Sequence, residues 1–201
     1  KVTGKIVGGS RITNVANASV SIMDTATVTG NIFGGGSLGG QVSGNTAVTV
    51  SGNAVVTGNI YGGGDSTEST VTGDSVISVA GGTVNGNIFA GGLDTGVGNT
   101  SILMTDGTVN GALAGGGSGG DAGDTAIEVG GGTVYAGILG GGAGGKAGNT
   151  KVHVYGDTQV TGGGSGAVIG GGQYEGADVA STDVLIEGNV RITDVWSQDA
   201  G

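Results

Sequence analysis

Short runs in which valine or isoleucine alternates with polar residues recur along the whole chain. Examples are Asn45-Thr46-Ala47-Val48-Thr49-Val50, Asn99-Thr100-Ser101-Ile102-Leu103-Met104 and Asp124-Thr125-Ala126-Ile127-Glu128-Val129. Strict alternation puts the aliphatic side chains on one face of a β-strand. A turn of Gly, Asp or Asn follows each run, then a second run such as Val28-Thr29-Gly30-Asn31-Ile32-Phe33, which returns at 56–61 and 84–89 and closes on Gly-Gly-Gly or Ala-Gly-Gly. No window carries apolar residues at spacings of three and four, so helical repeats are excluded.

The second run marks a repeat. Its motif starts at Gly4, Gly30, Gly58, Gly86, Gly111, Ala136 and Gly166, in steps of 26, 28, 28, 25, 25 and 30 residues. A period of this size, shared among three short strands and three turns, is one coil of a β-solenoid. The expected fold is all-β, a parallel β-helix of about seven coils forming one domain over 1–201. Strands pairing one coil apart at roughly 4.8 Å would make a rod about 30 Å long. Unequal coils without a strict hexapeptide are expected to wind right-handed.

Alternation predicts the interior. Val28 and Ile32, Val56 and Ile60, Val84 and Ile88, Val109 and Leu113, Val134 and Ile138, and Val160 and Val168 face inward on the second run. Val20, Ile22, Val48, Val50, Ile77, Val79, Ile102, Met104, Ile127, Val129, Val152, Val154, Val184 and Ile186 do so on the first. Val42, Val71, Val97, Ala122, Ala147 and Val179 line a third, shorter edge. Asn17, Asn45, Asp74, Asn99, Asp124 and Asn149 fall at one corner, where stacked side chains can bond from coil to coil.

Composition narrows the function. The 201 residues include 52 glycines and no proline, and the glycines are periodic rather than low-complexity. A net charge of −10 with only six basic residues repels phosphate backbones and anionic lipid, which argues against nucleic acid and membrane-surface partners. Neutral or cationic partners, or another copy of the chain, fit better. Without cysteine there is no disulfide framework and no thiol chemistry. No apolar run approaches a membrane span, so insertion by this segment is not expected. The chain begins inside a repeat and lacks an initiator Met, as expected of a fragment or processed piece of a longer secreted chain.

With runs of the form GNIYGGG, GNTxVxVxGG and TVxG, the chain resembles, across all seven units, the repetitive adhesin-like surface proteins of bacteria and archaea, including passenger regions of autotransporter type. The resemblance implies a cell-surface or extracellular location and a shaft, adhesive or scaffolding role. It carries no catalytic residues to this sequence.

Chemistry-bearing residues are few. Glu128, Lys151 and His153 are expected on one outward face in adjacent coils, with Asp121 and Asp124 nearby, which is the nearest approach to a polysaccharide lyase or hydrolase site. Solvated polar residues on an outer face account for the same pattern. The stretch 116–124 partly matches the GGxGxDxUx calcium repeat, so Asp121 and Asp124 are the candidate metal ligands, but Gly123 takes the apolar position and tandem nonapeptides are missing. No other cofactor is expected. Ice binding needs a flat array of outward Thr; the first run instead presents Ser21, Thr49, Ser78, Leu103, Glu128, His153 and Leu185.

The glycine-terminated run offers a candidate contact surface. If its Val, Gly and Ile face inward, Val7, Phe33, Tyr61, Phe89, Ala114, Leu139 and Ile169 form an outward stripe beside a bare glycine strip. The alternative folds the rings inward at a corner and makes the glycines tight turns. Phe33, Tyr61 and Phe89 are thus the candidate binding residues. Trp196, the only Trp, either closes the core or contacts the next rod. The expected function is a non-enzymatic extracellular β-solenoid, the shaft of a surface adhesin or the subunit of a filament. It would self-associate or meet other surface components or host and matrix glycans. The alternative is a carbohydrate-active or carbohydrate-binding β-helix module.

Overall fold

The structure, a computed structural model, describes residues 1–162 and 167–194. Among these residues every regular element is a strand and every pairing is parallel. The chain is a β-solenoid of seven stacked coils. Ile6, Ile32, Ile60, Ile88, Leu113, Ile138 and Val168 hold one position in successive coils, at the same intervals as the motif starts.

Each coil carries a long face and a short one. The long face is built by Ala18–Ile22, Thr46–Val56, Ser75–Val84, Thr100–Val109, Thr125–Val129, Ala147–Val154 and Val179–Ile186. Where two separate strands per coil are expected, coils two to four run through the turn as one strand of 10 or 11 residues, with a register shift at the glycine corner. Gly52 turns that corner at φ 68° and Gly107 at φ 105°, left-handed backbone that glycine adopts without a Cβ penalty. The first coil turns there with Asp24 at φ 59°. The short face consists of two-residue strands, among them Ile32–Phe33, Ile60–Tyr61 and Ile88–Phe89, each followed by a glycine triplet or its Ala-Gly-Gly equivalent.

Inward valines and isoleucines from both faces merge into one core running from Val20 to Ala167. Burying each such side chain stabilises by about 1.5–3 kcal/mol relative to leaving it exposed, which offsets the backbone entropy lost by the glycines. Two of the expected inward positions differ. Val184 and Ile186 are exposed, because they belong to the last coil, which has only one neighbouring coil among the described residues. The third edge is a separate small cluster: Val42 and Val71 pack with Ala18, Val15 and Val97.

Candidate functional site

The short face settles the aromatic question. Alternation works as expected, with Ile32, Ile60 and Ile88 in the main core and Phe33, Tyr61 and Phe89 on the opposite side of their strands. The rings are nonetheless buried, at 3%, 4% and 7% exposure. They stack in a column, Phe33 on Tyr61 at 4.9 Å and Tyr61 on Phe89 at 5.3 Å. Ala114 and Leu139 continue the column, and Leu93 and Ala143, just beyond the glycine triplets, pack against it. An open binding stripe is therefore not what these residues form. Together they make a second core outside the first. Trp196 and Gly166 lie outside the described residues.

The glycine strip is corrected in the same way. Gly34, Gly35 and Gly36 are buried. A Cβ on Gly35 would lie 2.7 Å from the Gly64 backbone N and 2.8 Å from the Gly63 carbonyl carbon, one coil away. The triplets are thus where successive coils touch backbone to backbone.

Hydroxyls at the start of the long strands tie the two faces together. Thr46 Oγ1 donates to the Gly62 carbonyl at 2.8 Å, Thr100 to Gly115 at 2.6 Å and Thr125 to Gly140 at 2.5 Å, each across buried space. Ser75 holds the equivalent place in its coil, and its Oγ has no partner.

The Asn corner forms as expected, and from Asn17 to Asp124 each side chain accepts from the backbone of the next coil. Asn45 N–H donates to Asn17 Oδ1, Asp74 N–H to Asn45, Asn99 N–H to Asp74, Asp124 N–H to Asn99 and Asn149 N–H to Asp124, all at 2.8–3.0 Å. A second ladder of the same kind went unread in the sequence. Asn59 N–H donates to Asn31 Oδ1, Asn87 N–H to Asn59 and Ala112 N–H to Asn87. The signal was present in the invariant Asn of each GNI, which sits beside the short strand.

These ladders account for the candidate metal ligands. Asp124 Oδ1 takes both the backbone and the side-chain amide of Asn149. Asp121 Oδ1 accepts from the Lys146 N–H at 2.8 Å. Neither belongs to a group of three or more His, Cys, Asp or Glu able to hold a metal ion; none occurs among the described residues. Each aspartate instead joins one coil to the next.

The outward face of the later coils carries the expected cluster. Glu128 and His153 stand directly opposite in register, as do Ala126 and Lys151. His153 Nε2 lies 2.9 Å from Glu187 Oε1, not from Glu128, and its ring tilts against Tyr155 at 4.6 Å.

No family model matches this sequence, and no curated protein or solved structure matches it either.

One further polar contact lies at the other end. Lys5 Nζ, Ser37 Oγ and Asp65 Oδ2 form a closed trio across three coils. The Asp65 side chain is 10% exposed. Burial is the largest influence on its carboxyl and acts upward, but the Lys5 and Ser37 hydrogen bonds, the Lys5 charge and the Leu38 backbone together hold it below the ordinary aspartate value. Among the described residues no helix is long and apolar enough to cross a membrane.

Proposed function

We propose that the chain is a non-enzymatic structural and adhesive segment, the shaft of an extracellular surface protein or filament. The observation that carries this reading is the repeated set of ties from coil to coil and from face to face. The Asn17-to-Asn149 ladder and the triplet contacts join successive coils, the Asn31-to-Ala112 ladder joins the earlier ones, and Thr46, Thr100 and Thr125 tie the two faces, so the chain's periodic residues hold a rod together. Repeat proteins of this kind gain stability coil by coil from nearest-neighbour contacts and present long surfaces for attachment. The most chemically active residues are likewise paired: His153 with Glu187, and Asp65 with Lys5. The extracellular location rests on the resemblance to adhesin-like surface proteins.

The test is attachment without turnover. The purified chain is titrated onto polysaccharide- and protein-coated surfaces and onto itself, while new reducing ends and unsaturated sugar products are followed in the same wells. Concentration-dependent attachment with no product supports the reading. Depolymerisation of a glycan that disappears in Glu128→Gln favours the carbohydrate-active alternative.

A further inference from the structure

Three clefts lie in one line along the outside of the long face, with volumes of about 410, 240 and 500 Å³. They share residues, Val76 linking the first to the second and Ala126 the second to the third. Together they make a shallow groove parallel to the rod axis. Its floor is one outward row in continuous register, Ser19, Ala47, Val76, Ser101, Ala126, Lys151 and Asp183. The first five of those seven side chains are small or aliphatic and uncharged, and the last two, Lys151 and Asp183, carry opposite charges, in a chain of net charge −10.

One wall of the groove is the Asn corner. The Oδ1 atoms of Asn17, Asn45 and Asn99 accept the backbone N–H of the next coil, and their amide Nδ2 groups have no protein partner among the described residues. Asp124 receives both of its bonds on Oδ1, leaving Oδ2 to accept another. The wall therefore offers amide donors and carboxylate acceptors at one-coil intervals, roughly 4.8 Å apart. The structural bond on one atom of each side chain fixes the direction of the other. That is a preorganised row of hydrogen-bonding groups.

We infer that this groove binds a neutral, linear, hydroxyl-rich polysaccharide laid along the rod. Sugar hydroxyls both donate and accept, as the wall requires, and an extended polymer matches a groove that repeats without a closed end. A polyanion is disfavoured by the acidic chain and by Asp74 and Asp124 on the wall. Each contact is weak and exposed, so affinity accumulates with the number of coils engaged. The inference rests on the adhesive reading and specifies its ligand.

The experiment is co-sedimentation of the full chain with insoluble cellulose, chitin and mannan, with competition by soluble polygalacturonate. Retention on at least one neutral polysaccharide is expected, with little displacement by the polyanion. The groove variant Val76→Glu with Ala126→Glu should lose at least tenfold in retention. Thr108→Glu, beyond the Gly107 corner and outside the groove lining, should stay within about twofold. If the double variant fails its melting-curve check, Ala47→Glu, at an exposed position, takes its place. Equal retention by parent and folded groove variants overturns the inference, as does stronger binding to polygalacturonate. A parent that binds none of the three polysaccharides yet attaches to other surfaces removes the groove and leaves the adhesive reading standing. Absence of every form of attachment removes both.

Discussion

The rings of Phe33 and Tyr61 lie one above the other, 4.9 Å between centroids and 5° from parallel, on the side of their strands that faces away from the main core. Parallel in-register pairing of Ile32–Phe33 with Ile60–Tyr61 imposes that overlap. Val7, Leu93 and Ala143 pack against the same column. Asn59 Nδ2 donates to the Tyr61 hydroxyl at 3.0 Å, so the ring's polar end is also satisfied.

Tyr61→Ala should therefore destabilise the fold by about 3–5 kcal/mol, as for other buried aromatic truncations. Chemical denaturation of parent and variant measures it. A loss below about 1 kcal/mol would fit an exposed stripe and contradict the second core.

Glycine 35 and glycine 96 separate structural from incidental glycines. A methyl on Gly35 meets backbone of the next coil at 2.7 and 2.8 Å, whereas on Gly96 the nearest atom is the Asp121 carbonyl oxygen at 3.6 Å. Gly35→Ala should cost about 3 kcal/mol or prevent folding, since backbone cannot move aside as a side chain can. Gly96→Ala should melt within a few degrees of the parent.

Much of this was legible in the chain. The motif starts gave the coil lengths, and alternation gave the main core, because a strand has only two sides and one must be dry. The sequence did not show that the outer side of the short strands is dry as well. Phe33 and Leu139 alternate correctly, but what buries the column is its own stacking together with Leu93 and Ala143 from variable glycine-rich loops, whose path no period encodes. Asn17, Asn45 and Asp124 were placed at the right corner. Which of their atoms is spent on the next coil, and which remains free, depends on backbone positions one coil away.

Asp124 distinguishes a ladder from a metal site. Asp124→Ala should lose about 1 kcal/mol, the usual net worth of such hydrogen bonds, while Asp124→Asn keeps the acceptor and should lose little. Chelator should leave the melting temperature of the parent unchanged. A drop of several degrees on chelation, restored by calcium, would revive the metal reading.

Asp65 gives a pH dependence with a definite sign. Its folded-state carboxyl titrates below the ordinary aspartate value of about 3.9. The stability it contributes is therefore fully present above that value and is lost as the pH falls through the lower folded value. Asp65→Asn should be less stable than the parent at neutral pH, and the difference should shrink below about pH 4. Melting curves across pH 2–7 report it; a difference that stays constant would detach Asp65 from the Lys5 contact.

The central functional claim is attachment without chemistry. Its most direct measurement titrates the purified chain onto immobilised polysaccharide and records bound protein and released sugar ends together. The account predicts saturable retention with no sugar released over hours. Release that grows with time and protein concentration, and that is abolished by Glu128→Gln, would contradict it.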